Sequence, residues 1–225
     1  MTLFIDSANL DDVIKSKDYG CVGATTNPRI WKESGQPYDK AKYHETIKAI
    51  CDAIDGPVSV ELTRTMEDSP ALVREAAELW NLDRGRIVVK VPMWASGKGL
   101  TVIRDLKKLS IPTNATCLMN AAQGIVACEA GAKYVSLFYR RMVDFYKDDR
   151  RVAQEFGSLS RYLCGKTCGI IAGSIREPDD VVRCFDLGAD IVTVPAKILW
   201  GMSIHQRTES TIEEFNQAWK EYTGG

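Results

Sequence analysis

Residues 86–116 read RIVVKVPMWASGKGLTVIRDLKKLSIPTNAT. Arg86–Val91 is a short β-branched run, Gly99–Leu109 spaces its apolar residues at a helical period, and Pro112–Thr116 opens a second short run. A strand, a helix and a strand in this order make a crossover unit with two parallel strands. The alternation continues in both directions. Further strand candidates are Leu3–Asp6, Val22–Thr25, Val58–Glu61, Tyr134–Phe138, Gly169–Gly173 and Ile191–Val194. Helical patterns include Ser69–Trp80, Ala121–Ala130, Val152–Leu163 and Pro178–Leu187. Strand and helix alternating along a whole chain imply a parallel sheet. Eight such units in 225 residues predict one α/β domain, residues 1–225, built as a closed (β/α)8 TIM barrel. An open doubly wound sheet is the alternative, but no Gly-rich dinucleotide fingerprint follows the first strand.

An additional C-terminal helix is expected over Glu209–Tyr222, with Ile212, Phe215 and Trp219 on one side. That face either closes the barrel bottom or docks on a neighbouring subunit, and packing within the chain is the plainer expectation.

Composition narrows the function. Hydrophobic residues make up 45% of the chain, enough for a large core, and charged residues 26%. With 29 basic and 30 acidic residues the net charge is -1, which favours neither nucleic acid nor an acidic membrane surface. An anionic substrate must therefore be held by local cations. Met1–Asp6 does not read as a signal peptide, and no run is long and apolar enough for a membrane span. A cytoplasmic protein is expected. The 7 cysteines include no CxxC pair and should be free thiols; Cys21, Cys117, Cys128 and Cys184 read as small core residues. Only His44 and His205 are present to activate a cysteine or ligate zinc or iron, so neither a catalytic cysteine nor a metal is expected.

Chemistry in a parallel barrel gathers at the C-terminal ends of the strands. Here those ends are polar: Asp6, Thr25-Thr26-Asn27-Pro28, Glu61, Lys90, Asn114 with Thr116, and Ser174 with Arg176. Lys90 is the sharpest of these. A lysine among valines on a central strand is costly to bury as a cation, and burial favours the neutral, nucleophilic amine. Such an amine attacks a ketone to form an iminium, which acts as an electron sink. The alternative is a lysine held in a buried ion pair with Glu61 or Asp6. The two carboxylates suit either reading: they can move protons for iminium chemistry, or balance the charge of Lys90. Arg141, Ser174 and Arg176 would bind a phosphate or similar anion at the rim, unless the arginines only form surface salt bridges.

Taken together, Thr25-Thr26-Asn27-Pro28, Val89-Lys90-Val91-Pro92, Thr113-Asn114-Ala115-Thr116 and Ala172-Gly173-Ser174-Ile175-Arg176 resemble the transaldolase family. The similarity is strongest to its small-subunit, fructose-6-phosphate aldolase-like branch and runs over essentially the whole chain. It implies a (β/α)8 barrel and a metal-free, cofactor-free class I aldol mechanism. Lys90 matches the Schiff-base lysine, Asp6 the group that deprotonates the C4 hydroxyl, Glu61 the carboxylate that works through a water, and Thr116 the hydroxyl that holds that water. Asn27 and Asn114 match amides that bind the dihydroxyacetone moiety, Ser136 and Phe138 line the site, and Arg141, Ser174 and Arg176 match the phosphate site. The branch often forms ring-shaped pentamers and decamers in which the C-terminal helix reaches a neighbour, so a homo-oligomer is expected.

Fructose-6-phosphate aldolase is similar but has Gln at the position of Glu61 and Tyr at that of Phe138. A carboxylate exchanges protons with water and a glutamine does not, so transfer of dihydroxyacetone to an aldose phosphate is expected rather than its release. The chain departs from the family pattern at Arg29, where a small residue is usual, at Trp94 with Ser96-Gly97-Lys98-Gly99, and at Tyr139-Arg140 before Arg141. Arg29, Trp94 and Arg140 are thus candidates for setting specificity, unless they are surface changes without consequence. A sulfonated ketose is the variant substrate these departures raise. A non-catalytic barrel that binds a sugar phosphate is the rival from another class.

Overall fold

The protein is described from a computed structural model that covers residues 1–33, 35, 37–64 and 66–224. Eight parallel strands close into a barrel in chain order: β1 (Thr2–Asp6), β2 (Cys21–Thr25), β3 (Val58–Glu61), β4 (Ile87–Pro92), β5 (Thr113–Leu118), β6 (Tyr134–Phe138), β7 (Gly169–Gly173) and β8 (Ile191–Pro195). β8 pairs back onto β1, so no strand edge is left open and the doubly wound alternative falls away. The helices are α1 (Leu10–Ser16), α2 (Pro28–Glu33), α3 (Lys40–Ala53), α4 (Ser69–Trp80), α5 (Lys98–Lys108), α6 (Ala121–Ala130), α7 (Tyr139–Tyr146), α8 (Asp149–Leu163), α9 (Pro178–Asp186), α10 (Ala196–Gly201) and α11 (Gln206–Thr223). Helix starts follow from local chemistry. Asn9, Asp39, Asp68, Asn120 and Asp148 each accept a hydrogen bond from a first-turn backbone N–H with their side chains.

Strand parity decides what each side of the barrel is made of. One parity puts Ile5, Val58, Val60, Val89, Val91, Val135, Leu137, Ala172, Val192 and Val194 into the main apolar core with the inward residues of the helices. The other parity faces the barrel interior. Low in that interior Phe4, Ile171 and Ile191 form a separate small cluster. Gly23 makes room for it: a Cβ there would lie 2.6 Å from the Phe4 ring. Higher up, the same parity carries Asp6, Glu61, Lys90, Asn114, Thr116 and Ser136 to the strands' C-terminal ends.

Three buried carboxylates on the outer helices hold the loops at that same end. Glu75 accepts from the Thr63 and Arg64 backbone amides, at 2.8 and 3.1 Å. Glu155 accepts from Ala121 N at 2.8 Å. Asp180 accepts from Arg176 N and Glu177 N, at 2.9 and 3.1 Å. Each supplies an acceptor to backbone amides that follow a strand.

The structure corrects two expectations. The tail helix forms as α11, but its apolar face does not pack within the chain: Ile212, Phe215 and Trp219 are 48%, 69% and 65% exposed. The helix follows the last barrel strand and α10, and none of its residues is buried. Cys117 and Cys128 are only partly buried, Cys128 against the edge of the main core. Cys117 sits at a break in the β5–β6 register with φ at 64°, which turns its side chain out of the strand's alternation.

Candidate active site

Adjacent strands bring the reactive groups to one level. Lys90 stands in register with Glu61 on one side and Asn114 on the other. Lys90 is 5% exposed, and its Nζ lies 3.3 Å from Glu61 Oε2. The same nitrogen donates to the Thr26 carbonyl at 2.9 Å. A buried amine is tolerable only with such partners. The ion pair weighed from the sequence is therefore present, and its partner is Glu61.

Asp6 ends strand β1, which β2 separates from β3. Its Oδ1 accepts from Thr25 Oγ1 at 2.6 Å, and Thr25 Oγ1 is in turn 2.6 Å from Thr193 Oγ1. With Thr25's single hydroxyl proton given to the carboxylate, Thr193 is the donor to Thr25. Burial pushes the Asp6 carboxyl above the usual carboxylate range. The nearby Lys90 charge and the Thr25 hydrogen bond pull it back, while the Glu61 and Glu33 charges push it further up. An acid so placed releases and takes up its proton nearer to neutral pH than an ordinary aspartate.

A third set of groups lies across the mouth. Ser136 Oγ donates to Asn114 Oδ1 at 2.7 Å, and Asn114 Nδ2 donates to Ser59 Oγ at 3.3 Å. Among the described residues the Thr116 hydroxyl is buried without a hydrogen-bond partner. Such a group is left for a water or a substrate oxygen to satisfy. Asn27 Oδ1 accepts from Arg29 N and Ile30 N, at 3.0 and 3.1 Å, and so starts α2.

The residues expected to bind an anion follow β6 and β7. Ser174 follows β7 in a left-handed conformation, with φ at 62°. Arg141 stacks its guanidinium 5.1 Å from the centre of the Phe138 ring. Arg176 forms a two-pronged pair with Asp144, at 3.1 and 2.5 Å. Arg140 is tied to Asp180 at 2.7 Å and Glu177 at 3.0 Å. Arg29 is exposed and paired with Glu33 one helical turn on, at 2.6 Å. Trp94 is partly buried, with Lys98 Nζ 4.5 Å from its ring centre. Of the three specificity candidates, then, Arg29 and Arg140 are each committed to carboxylates.

The residue pattern of the strand ends did not bring out Ser59, Thr193 or Cys117. The signal for the first two was a lone hydroxyl inside an apolar strand, Val58-Ser59-Val60 and Val192-Thr193-Val194. Cys117 feels the charges of Glu61, Lys90 and Arg141, and burial raises its thiol. Burial also pushes the Cys21 and Cys51 thiols up to about 11 and about 12, so both stay protonated at neutral pH. All seven cysteines are free. No helix among the described residues is long and apolar enough to cross a membrane.

Known proteins resemble this chain over nearly its whole length. The sequence model of the family described as Transaldolase/Fructose-6-phosphate aldolase matches residues 3–223. A probable transaldolase of Clostridium kluyveri is 38% identical over 221 residues, covering 98% of both chains. A probable transaldolase of Kosmotoga olearia is 35% identical over 227 residues, covering 100% of this chain and 99% of its own. One of Thermoplasma volcanium is 37% identical over 222 residues, covering 98% of this chain and 96% of its own.

Proposed function

Because the chain belongs to the transaldolase/fructose-6-phosphate aldolase family, we propose that it transfers a dihydroxyacetone unit from a ketose phosphate of the fructose 6-phosphate type to an aldose phosphate, through a Schiff base on Lys90. The observation that carries this reading is the Lys90 amine, buried at the barrel mouth 3.3 Å from Glu61 and within the electrostatic reach of Asp6.

Lys90 Nζ, as the free amine, adds to the C2 carbonyl of the ketose, and loss of water gives the iminium. Glu61 moves protons for that dehydration through a water that the unpartnered Thr116 hydroxyl helps to hold. Asp6 takes the C4 hydroxyl proton, the C3–C4 bond breaks, and its electron pair enters the iminium to give an enamine and a free aldose phosphate. The enamine carbon then attacks the aldehyde of a second aldose phosphate, Asp6 returns the proton to the new alkoxide, and water releases the product from Lys90. Asn114, held by Ser136 and Ser59, and the Asn27 amide hold the dihydroxyacetone hydroxyls, while Phe138 lines the site. Arg141, Ser174 and Arg176 take the phosphate. The exposed apolar face of α11 supports a homo-oligomer in which that face docks on a neighbouring copy.

The test is borohydride trapping followed by intact mass and peptide mapping, with fructose 6-phosphate, its 6-sulfonate analogue and unphosphorylated fructose side by side. A stable adduct of dihydroxyacetone size on Lys90 is expected, formed best with the phosphate. Best trapping with the sulfonate would reassign the donor. No adduct from folded protein would favour a binding barrel instead. Arg176→Ala is expected to raise KM for the phosphorylated ketose about tenfold or more, as charge-assisted hydrogen bonds are worth ~1.5–3 kcal/mol. An unchanged KM would remove Arg176 from the anion site.

A further inference from the structure

The loop after β7 carries both Ser174 and Arg176, and its shape is not set by its own sequence. Ser174 occupies a left-handed conformation that residues other than glycine adopt uncommonly, so contacts from the surroundings help to hold it there. Asp180, 2% exposed on the first turn of α9, gathers the loop from below. Its Oδ2 accepts from Arg176 N at 2.9 Å, from Glu177 N at 3.1 Å and from Arg140 Nε at 2.7 Å. Its Oδ1 lies 2.7 Å from the second nitrogen of the same guanidinium. Arg140 lies in the first turn of α7, and its backbone N–H donates to the Ser174 carbonyl at 3.4 Å. One residue therefore grips this loop twice, at Ser174 through its backbone and at Arg176 and Glu177 through Asp180.

We propose that the bidentate Arg140–Asp180 pair is a positioning device for the anion-binding loop, acting on Ser174 and Arg176 without touching the substrate. Arg140 also sits next to Arg141, so the pair fixes the α7 end of the rim against its β7 end. A planar, two-pronged guanidinium fixes an angle as well as a distance, which a lysine cannot do. The Ser174 hydroxyl and the Arg176 side chain are then presented from a loop already in place, and Arg176 exchanges its pair with Asp144 for the anion. This inference rests on the reading of Arg141, Ser174 and Arg176 as the phosphate site.

The experiment compares wild type with Arg140→Ala, Arg140→Lys, Asp180→Asn and the Arg140→Ala/Asp180→Asn double variant. The readouts are KM and kcat for fructose 6-phosphate, the same constants for unphosphorylated fructose, and competitive inhibition by inorganic phosphate. Arg140→Ala is expected to raise KM for the phosphorylated ketose and the inhibition constant of phosphate together, by about tenfold or more. Its kcat/KM for unphosphorylated fructose should stay within about twofold of wild type, because no contact at the reacting centre changes. Arg140→Lys should recover only part of the loss. The double variant should cost no more than the worse single one, since both remove one device. Arg140 is at the edge of the core, so its variants test the idea even if Asp180→Asn fails to fold. An equal loss on both ketoses, additive losses, or full recovery with lysine would each overturn the proposal. If wild type itself neither prefers the phosphorylated ketose nor is inhibited by phosphate, the anion-site reading fails first. If wild type does both and Arg140→Ala keeps both, the positioning role alone fails.

Discussion

Lys90→Ala is expected to abolish turnover and leave a folded barrel. For activity, no other amine among the described residues stands in register with Glu61 and Asn114, so nothing else can form the iminium there. For the fold, the strands are held by their outward residues, while Lys90 belongs to the inward parity. The cost is confined to the pair it leaves. Glu61 loses its partner at 3.3 Å, and Thr26 O loses a donor at 2.9 Å. Breaking a buried pair costs about 3 kcal/mol where one side opens to solvent, which for this length lowers Tm by roughly 6–12 °C. Lys90→Arg separates charge from nucleophile. It keeps a cation beside Glu61 but stays protonated and cannot add to a ketone. Both variants should fail in the trapping assay and in turnover. Clear turnover by Lys90→Arg, with circular dichroism like wild type, would return Lys90 to a purely structural ion pair.

The barrel was legible because its strands alternate with helices at even intervals and because its core residues repeat with period two. Several elements, Val58–Glu61, Tyr134–Phe138, Gly169–Gly173, Ser69–Trp80 and Ala121–Ala130, have the boundaries their patterns predict. The polar strand ends were legible for a related reason. A charged residue in an apolar strand, such as Lys90, must face something that compensates it. Pairing across the chain was not legible. Arg140 reads as a specificity candidate beside Arg141, and its partner Asp180 lies 40 positions away on another helix. Arg176 and Asp144 are 32 positions apart. No local pattern joins such residues; only barrel closure does. The exposed side of α11 carries the same lesson. An apolar stripe specifies that a helix will bury a face, but not against which surface.

Asp6→Asn is expected to lower kcat by about 10²–10⁴, the usual range for losing a general base. The amide keeps the shape and can still accept from Thr25, so the Thr193–Thr25 chain of hydroxyls need not collapse. What it loses is the ability to take the C4 hydroxyl proton. In the wild type this step requires the carboxylate. Since burial lifts the Asp6 carboxyl above its ordinary value, activity should fall on acidification at a higher pH than an exposed aspartate would give. Stability should respond with the opposite sign. An acid whose pKa is raised by folding contributes stability that is present below its unfolded value and is lost as pH rises through its folded value. The wild type therefore carries an unfavourable charge at neutral pH that Asp6→Asn does not. The variant should melt higher than wild type at neutral pH, with the gap closing as pH drops below the folded value. Thr25→Val removes the hydrogen bond that lowers the Asp6 carboxyl, so it should move the acidic limb of the rate profile to still higher pH. Melting curves and pH–rate profiles on the three proteins check this. An Asp6→Asn protein that melts lower at every pH, or a Thr25→Val limb that moves to lower pH, would show that Asp6 is held as a stabilising charge rather than as a base kept under strain for catalysis.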